Sequence, residues 1–328
     1  MSYGDKIPEE PIDLLWTNRS HRKSINIARM IYFASLADYG YVNRNVRSAK
    51  GKTQHPEVEG IYSLRERWQH WSVLSQADMV MAIGNKRIDS TFHDYQHTGK
   101  EVCTIDCGID VSHYTASDMA AKEPIFIHNA TRFSIRKGSH IVAEAWRKVA
   151  SCLPSASLVL LGREGDVDID KRLHGVPNVK YLGAYTSGSS EYIAKLAEAR
   201  WVILPSLAEG QAGTLLEAMS CGCIPLASYD AGVDADKYGG YVIEPNTPYQ
   251  LVRLMINAAQ EWSPSQSERV RLVTMEKHSW KAFEDHILKA TEEVLAHPIQ
   301  RSASRDSSAI AFMKHEIMSL IRSSVAKK

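Results

Sequence analysis

The chain has 328 residues, 44% of them hydrophobic, which fits two domains, or one domain with extensions, and provides ample apolar sequence for a core. Its 39 Lys and Arg residues balance 38 Asp and Glu residues, so the net charge of +1 provides no global field that would attract nucleic acid or an anionic membrane. Five scattered cysteines without the spacing of a zinc site predict reduced thiols and a cytoplasmic location. A signal pattern and an apolar run of about 20 residues are both lacking, so we expect neither secretion nor membrane insertion.

The first part of the chain, residues 1–117, predicts a reduced Rossmann-like domain. Three runs are typical of strands, namely "IDLLWT", "ADMVMAIG" and "EVCTID". Around them we expect helices near residues 24–36 and 62–75, and a loop rich in Asn, Arg, Lys and Gly at residues 41–59. These elements amount to half of a doubly wound sheet.

Residues 118–297 predict a complete doubly wound domain. Apolar strand-like runs alternate with amphipathic helical stretches, which is typical of a parallel sheet with crossover helices. The strands are "PIFIHNATRF", "ASLVLLG", "NVKYLG", "WVILPS", "CIPLAS" and "GGYVIEP". The helix "GTLLEAMS" should end before Gly222, which we expect in a left-handed conformation. The fold class is therefore α/β.

Residues 298–328 predict a separate tail, which begins with the polar linker "QRSASRDSSA". Apolar residues then recur at helical spacing, at Ile310, Met313, Ile317, Leu320 and Ile321. We expect this tail helix to pack on the N-terminal domain. Its basic end at Lys327 and Lys328 leaves a peripheral contact with the inner face of the membrane open.

The segment "PSLAEGQAGTLLEAMS" carries two acidic residues around the start of an apolar helix. Ligands bind beyond the carboxyl ends of parallel strands, and "WVILPS" ends just before Glu209. The N–H groups of the next helical turn suit a phosphate, and that turn comprises Gln211, Ala212, Gly213 and Thr214. Glu217 lies one turn into the helix, where its carboxylate can accept hydrogen bonds from two ribose hydroxyls. The alternative is a helix start that carries acids only for solubility and the helix dipole.

A second motif, "TRFSIRKGSH", places cations at the end of another strand. The strand ends at Arg132, and Arg136 and Lys137 follow in the loop before a helix. Arg offers a forked pair of donors and Lys a mobile point charge, so together they can neutralise a diphosphate, including the charge that it gains as a leaving group. The alternative is a solvated basic loop, but two motifs at the carboxyl ends of one sheet favour a joint site.

These two motifs resemble those of the retaining glycosyltransferases of family 4, also described as glycosyl transferases group 1, which have the GT-B fold. "TRFSIRKG" resembles the family's Arg-loop-Lys-Gly element, and "EGQAGTLLEAMSCGCIPL" its signature of two Glu residues with seven residues between them. "CTIDCGIDVSHY" resembles the segment that links the two domains, and "SWKAFEDHILKATEEVL" resembles the closing helix. The resemblance implies two Rossmann-like domains that face a cleft.

The resemblance also implies a role for each motif residue. Arg132 and Lys137 hold the diphosphate of the donor and assist its departure, while Glu209 binds hydroxyls of the transferred sugar. Glu217 binds the nucleotide ribose, and the N–H groups of residues 211–214 complete the donor site.

Three further positions bear on the resemblance. "YLGAY", with Gly183 at its centre, occupies the place where the family contacts the base. Gln211 stands where the family often has an aromatic residue, so the donor sugar is not inherited from better-known members. The N-terminal domain lacks the family's Gly-rich loop, and His21, after "IDLLWT", is the candidate for a catalytic His that members often place at a strand end. The alternative for His21 is a surface histidine.

No metal is expected at the site. "DVDID", residues 166–170, mimics the Asp-x-Asp metal motif of the other glycosyltransferase fold, but it follows "LVLLGREG" in a polar loop away from both motifs. We interpret it as a solvated loop. Arg132 and Lys137 make a metal unnecessary for neutralising a diphosphate.

The resemblance, together with the two motifs, implies a metal-independent retaining glycosyltransferase of the hexosyltransferase type that has no cofactor. Its donor is a nucleotide-diphosphate-sugar, with UDP or GDP expected, and its acceptor is a glycan, a lipid-linked molecule or a small molecule. No nucleic-acid partner is expected, and the oligomeric state is not predicted. The rival is a non-catalytic nucleotide-sugar-binding or partner subunit with a shortened acceptor domain. A GT-B epimerase and a phosphorylase are further alternatives.

Overall fold

The structure is a computed structural model of the chain. It describes residues 15–17, 30–34, 39–50, 62–74, 77, 79–92, 101–116, 118–244 and 247–296. Within these ranges the chain forms two parallel β-sheets, one of four strands and one of six. The tail at residues 298–328 and the candidate His21 lie outside the described residues. Across the described ranges, no helix is both long and apolar enough to cross a membrane.

The N-terminal sheet has its strands in chain order. Its elements are β1 (Leu15–Thr17), β2 (Met30–Ala34), α1 (Tyr39–Lys50), α2 (Leu64–Leu74), β3 (Met79–Ile83), α3 (Lys86–Thr91) and β4 (Glu101–Ile105). All neighbouring strands pair in parallel, and β3 is buried along its whole length because a central parallel strand is covered on both faces. The three predicted strands and the helix predicted at residues 62–75 are confirmed.

Two predictions for this part of the chain are wrong. Instead of a helix near residues 24–36, strand β2 forms at Met30–Ala34, because its Ile, Tyr and Phe favour a pleated strand and it pairs with β1 and β3. The loop expected at residues 41–59 begins as helix α1. Val42, Val46 and Ala49 are buried there, at the i, i+4, i+7 spacing of a packed helix face.

The C-terminal sheet contains β5 (Glu123–Arg132), β6 (Ser157–Arg163), β7 (Val179–Gly183), β8 (Ala199–Leu204), β9 (Ile224–Ala227) and β10 (Tyr241–Val242). Their order is β10-β9-β8-β5-β6-β7, so the chain starts in the middle, builds one side and returns to build the other. The two directions meet between β5 and β8, and loops diverge at such a switch point to leave a crevice for a ligand. The predicted doubly wound α/β domain is confirmed.

The α-helices that the structure describes in this part are α4 (Ser139–Val149), α5 (Ile169–Leu173), α6 (Ser190–Glu198), α7 (Gly213–Ser220), α8 (Pro248–Glu261), α9 (Pro264–His278) and α10 (Trp280–Ala296). Gly222, just after α7, has a φ of +79°, as predicted. Helix α9 was not predicted from the sequence. Val270 is the one apolar residue among its buried side chains, so its buried face does not stand out in the pattern.

Helix α10 returns to the N-terminal sheet and ties the two sheets together. Its apolar face joins a small core cluster with β3 and β4, formed by Met79, Met81, Ile105, Phe283, Ile287 and Ala290. A parallel bridge between Ile109 and Ser279 adds a backbone link. The domain boundaries at residues 117 and 297 stay a prediction.

Candidate functional site

A buried group of charged residues lies at the switch point of the C-terminal sheet. Glu209, in the loop after β8, pairs with Arg136 and Lys137 in the loop after β5. The Arg136 Nη1 atom and the Lys137 Nζ atom each lie 2.7 Å from Glu209 Oε1. Glu209 and Lys137 are both 8% exposed, so little water screens their attraction. We refer to these three residues as the charge cluster.

The two cations decide the protonation state of Glu209. Burial raises the pKa of Glu209, but the charges and hydrogen bonds of Lys137 and Arg136 outweigh burial and hold the pKa below its ordinary value. The carboxylate is therefore ionised at neutral pH. In that state it accepts hydrogen bonds only, which suits the hydroxyl groups of a sugar.

Gly138 allows the two loops of the charge cluster to touch. Its φ is +71°, and an added Cβ atom would lie 2.1 Å from the carbonyl oxygen of Pro205. The Leu207 N–H group also donates to the Arg136 carbonyl at 2.8 Å. The loop after β5 therefore lies directly against the loop after β8, and this contact brings both cations to Glu209.

Replacing Gly138 by Ala is expected to destabilise the protein by about 2–4 kcal/mol, because a left-handed backbone disfavours a Cβ atom and the clash with Pro205 adds to this cost. Gly175→Ala is the matched control, since Gly175 has a φ of +72° but no atom within 4 Å of the added Cβ. Urea unfolding of both variants gives the two free energies. An equal decrease in the free energy of unfolding of the two variants would show that the clash with Pro205 does not contribute to the destabilisation.

Arg132 lies at the end of β5, as predicted, but it is exposed and pairs in register with Arg163 of β6. Among the residues that the structure describes, Glu209 forms ion pairs with Arg136 and Lys137 and not with Arg132. The sequence indicated Arg136 as one of several clustered cations without giving it a role. The position of Arg136 next to Lys137 in the sequence is the signal that could have identified it as a site residue.

The start of helix α7 provides open space beside the charge cluster. The helix begins at Gly213, and Ala212 is its capping residue. The Ala212 N–H group donates to the Ala231 carbonyl at 3.0 Å and so is used within the loops. A Cβ atom at Gly213 would meet no atom within 4 Å. The N–H groups of Gly213 and Thr214 lie in the first turn of α7. Backbone N–H groups in a first turn have no hydrogen-bond acceptor within the helix, so these two are suited to bind an anion.

The side chain of Gln211 links the two halves of the molecule. Its Oε1 atom accepts from the Cys107 N–H group at 2.5 Å, and its Nε2 atom donates to Asp106 at 2.8 Å. The same Nε2 atom donates to the Gly232 carbonyl at 3.2 Å. Gln211 therefore joins the segment after β4 to the loop after β9.

Three hydroxyl groups surround the carboxylate of Glu217. Tyr114 and Ser187 donate to Oε1 at 3.0 and 2.8 Å, and Tyr192 donates to Oε2 at 2.5 Å. Asn129 in turn donates to the Tyr192 hydroxyl at 2.6 Å. Burial and the Glu217 carboxylate raise the pKa of Tyr192, so its hydroxyl stays protonated and remains a donor.

The three hydroxyl donors were missed in the sequence because they come from separate segments. Tyr114 follows β4, whereas Ser187 and Tyr192 come from the loop after β7 and from helix α6. Scattered Ser and Tyr residues carry no spacing signal. Only the fold brings them to Glu217, where hydroxyl donors already occupy both carboxylate oxygens.

The N-terminal half contacts the loops that flank the charge cluster. Tyr41 and Arg87 donate to Asp230 at 2.5 and 3.1 Å, and Asn45 donates to the Leu207 carbonyl at 2.7 Å. Burial, together with Asp230, raises the pKa of Tyr41 to about 12, so its hydroxyl is a donor at neutral pH. Helices α1 and α3 are thus hydrogen-bonded to the loops after β8 and β9.

The predicted base-binding segment lies at the end of β7, where Gly183 has a φ of +72°. A cavity of about 260 Å³ opens beside this strand and is lined by Tyr181, Phe133 and residues of the loop after β6. Tyr181 also donates to the Gly162 carbonyl at 3.2 Å. The cavity therefore offers aromatic surface near the predicted position of a base.

The Asp-rich segment at residues 166–170 is not the solvated loop that we expected. Asp166 is buried and accepts from the Ile135 N–H group at 2.8 Å, and Asp168 accepts from the Lys171 N–H group at 2.9 Å to cap α5. Both carboxylates therefore stabilise the local backbone by accepting hydrogen bonds from N–H groups. In the part of the chain that the structure describes, no group of three His, Cys, Asp or Glu residues could hold a metal ion.

Comparisons with known proteins give one match to a family model and several to solved structures. The family model described as "Glycosyl transferases group 1" matches residues 124–261, a range that contains the charge cluster and Glu217. A comparison with curated protein sequences finds no match.

Three solved structures illustrate the likeness in fold. Sucrose-phosphate synthase from Thermosynechococcus elongatus matches 84% of this chain and 70% of its own, with 18% identity and a TM-score of 0.63. Alr3699/HepE from Anabaena, solved with UDP and glucose, matches 81% of this chain and 72% of its own, with 16% identity and a TM-score of 0.58. The pneumococcal O-GlcNAc transferase GtfA, solved with UDP and GlcNAc, has 15% identity and a TM-score of 0.60, and the match covers 87% of this chain and 57% of that one. The fold is α/β of the GT-B type, as predicted.

Proposed function

We propose that the protein is a retaining glycosyltransferase that transfers a sugar from a nucleoside-diphosphate-sugar to an acceptor hydroxyl, without a metal or a cofactor. The observation that carries the proposal is the charge cluster, in which a buried carboxylate and two cations lie at a switch point beside the open start of a helix. The family match over residues 124–261 supports it. Two of the similar proteins were solved with UDP and a sugar, which also supports it.

Different residues of the cleft would bind different parts of the donor. Lys137 and Arg136, with Arg132 at the strand end, would neutralise the diphosphate, and the N–H groups at the start of α7 would bind its oxygens. Glu209 would accept hydrogen bonds from the sugar, and Glu217 from the ribose. UDP or GDP is the expected nucleotide. The acceptor would be a glycan, a lipid-linked molecule or a small molecule on the cytoplasmic side.

The proposed transfer needs no nucleophile from the protein. The bond from the anomeric carbon to the diphosphate oxygen breaks, and a bond to the acceptor oxygen forms on the same face of the sugar. The proton of the acceptor hydroxyl moves to the departing phosphate oxygen. Lys137 and Arg136 would stabilise the charge that the diphosphate gains as it leaves. A closed cleft would keep water from hydrolysing the donor.

Binding of the donor nucleotide is expected to change less than about twofold when EDTA is added, because side-chain cations supply the charge that a metal would otherwise supply. Calorimetric titration with UDP, GDP, ADP and their common sugar conjugates tests this, with and without EDTA. Mass spectrometry of the same samples detects hydrolysed or transferred sugar. Binding that EDTA abolishes and Mg²⁺ restores would contradict the metal-independent part of the proposal.

The same assays distinguish the rival functions. Donor binding without transfer or hydrolysis, whatever acceptor is offered, would favour a non-catalytic binding or partner subunit. Epimerisation of the nucleotide sugar without an acceptor would favour an epimerase. Release of sugar 1-phosphate that depends on added phosphate would favour a phosphorylase.

A further inference from the structure

A separate cavity of about 280 Å³ lies between the two halves of the molecule. From the N-terminal half it is lined by the loop after β3, the start of α3 and the end of β4, and from the other half by the loops after β8 and β9 and by helices α9 and α10. Its cationic side chains are Lys86, Lys237, Lys277 and His286. We refer to it as the lysine cavity. No residue of the charge cluster lines it, and neither does Glu217.

The two carboxylates of the lysine cavity are already engaged. Asp234 lies 2.5 Å from Lys237 Nζ and accepts from Asn85 Nδ2 at 2.7 Å. Asp106 accepts from Gln211 Nε2 at 2.8 Å, a hydrogen bond from a neutral amide that leaves the negative charge of Asp106 in the wall. Of the cavity's cations, Lys237 is therefore neutralised within the cavity wall.

Three lysines and two aspartates of the described part of the chain line the cavity, so its walls carry one excess positive charge, which Lys86 supplies from an exposed position and Lys277 from a half-buried one. Among the residues that the structure describes, neither has a carboxylate within ion-pair distance. The Lys277 ammonium lies 5.1 Å from the centre of the Tyr238 ring, which orients it in the wall. The imidazole ring of His286 also lines the cavity and offers a ring N–H group as a hydrogen-bond donor. The cavity therefore suits a compact anionic ligand, such as a phosphate monoester.

The size of the lysine cavity limits what it can hold. Its volume of about 280 Å³ is just below the range of roughly 300–1,000 Å³ that is usual for small-molecule pockets. An extended oligosaccharide would not fit. Asn85 and Thr104 line the wall as well and offer polar groups that suit hydroxyls.

The lysine cavity begins close to the predicted donor site. Gln211 forms part of its wall and lies two positions after Glu209 in the chain. A Cβ atom on Gly84, which also lines the cavity, would be 3.2 Å from the Gly210 carbonyl oxygen. The lysine cavity therefore borders the loop that carries Glu209.

We propose that the lysine cavity binds the phosphate group of a soluble phosphorylated sugar and that this sugar is the acceptor. The second part rests on the proposed function, whereas the first part requires only the cavity. Lys86 and Lys277 hold the phosphate, and an acceptor hydroxyl of the same sugar then points towards the donor. Phosphate on a lipid head group has the same chemistry, and the experiment separates the two sources.

The test is calorimetric titration of the full chain with glucose 6-phosphate and with inorganic phosphate, in the presence of saturating donor nucleotide so that the diphosphate site is filled. We expect both probes to bind. Lys277→Gln should weaken binding about tenfold or more, since a hydrogen bond to a charged group is lost, and the double variant Lys86→Gln/Lys277→Gln should abolish it. Lys289→Gln, an exposed change on α10 that does not line the cavity, is the control. Thermal unfolding verifies that each variant is folded.

Three outcomes would overturn the inference. Phosphate that fails to bind the nucleotide-loaded protein would exclude the site, and equal binding by the wild type and the double variant would place the phosphate elsewhere. Vesicles of phosphatidylcholine with phosphatidic acid that bind through Lys86 and Lys277, while glucose 6-phosphate does not, would exclude the soluble sugar. Binding of the nucleotide is measured in a separate titration. If no nucleotide binds, that result contradicts the proposed donor site, and titration of the nucleotide-free protein with phosphate still tests the lysine cavity.

Discussion

Replacing Lys137 by Ala is expected to lower kcat for sugar transfer by about a hundredfold to a thousandfold. Lys137 is buried, with Nζ 2.7 Å from Glu209, and its charge would face a diphosphate that gains charge only as the glycosidic bond breaks. Because this interaction is strongest in the transition state, KM for the donor should rise less than about tenfold. Steady-state kinetics of transfer, or of donor hydrolysis, measures both values.

Lys281→Ala is the matched control for Lys137→Ala. Lys281 is 73% exposed and pairs with Asp285 at 2.7 Å, and exposed ion pairs of this kind contribute about 0–1 kcal/mol. Thermal unfolding of both variants separates a loss of catalysis from a loss of folding, since Arg136 remains as a partner for Glu209 in Lys137→Ala. A folded Lys137→Ala variant that transfers sugar at the wild-type rate would remove Lys137 from the catalytic site.

The strands of the C-terminal sheet could be predicted because each is a short apolar run between polar or Gly-containing segments. In the N-terminal half the same reasoning failed at Met30–Ala34. A run of five apolar residues fits a strand or a buried helix equally well, and its pairing with β1 and β3 decides between them. Helix α1 was not predicted because the three buried apolar residues among its described side chains are separated by many polar residues, which obscure the helical pattern.

The candidate site shows the same division between local and long-range information. Glu209 and Lys137 could be located because each follows the carboxyl end of a strand in a recognisable motif. The sequence could not tell whether Arg132 or Arg136 reaches Glu209, since both follow or end β5. The path of the backbone decides this, and it depends on the contact of Gly138 with a different loop. Contacts of this kind are set by packing and leave no periodic pattern.

Replacing Glu217 by Gln is expected to weaken binding of the donor nucleotide by about tenfold to a hundredfold, because the ribose hydroxyls would lose hydrogen bonds to a charged acceptor. In this structure the carboxylate accepts from Tyr114, Ser187 and Tyr192, which leaves about one of its four acceptor positions for a ribose hydroxyl, and a second ribose hydroxyl would have to displace one of these protein hydroxyls. Gln retains one acceptor oxygen and the size of Glu, which limits the disturbance of this network. Calorimetric titration with whichever of UDP, GDP and ADP binds the wild type measures the loss.

A comparison of ribose with 2′-deoxyribose nucleotides shows whether Glu217 acts on the ribose itself. If it does, the wild type should prefer the ribose form, and Glu217→Gln should lose most of that preference, so the two changes are not additive. Glu198→Gln is the control, because Glu198 forms an exposed pair with Lys195 at 2.9 Å. If both nucleotides weaken equally in Glu217→Gln, the carboxylate serves only to hold its three hydroxyl partners. The ribose would then have to be bound elsewhere in the cleft.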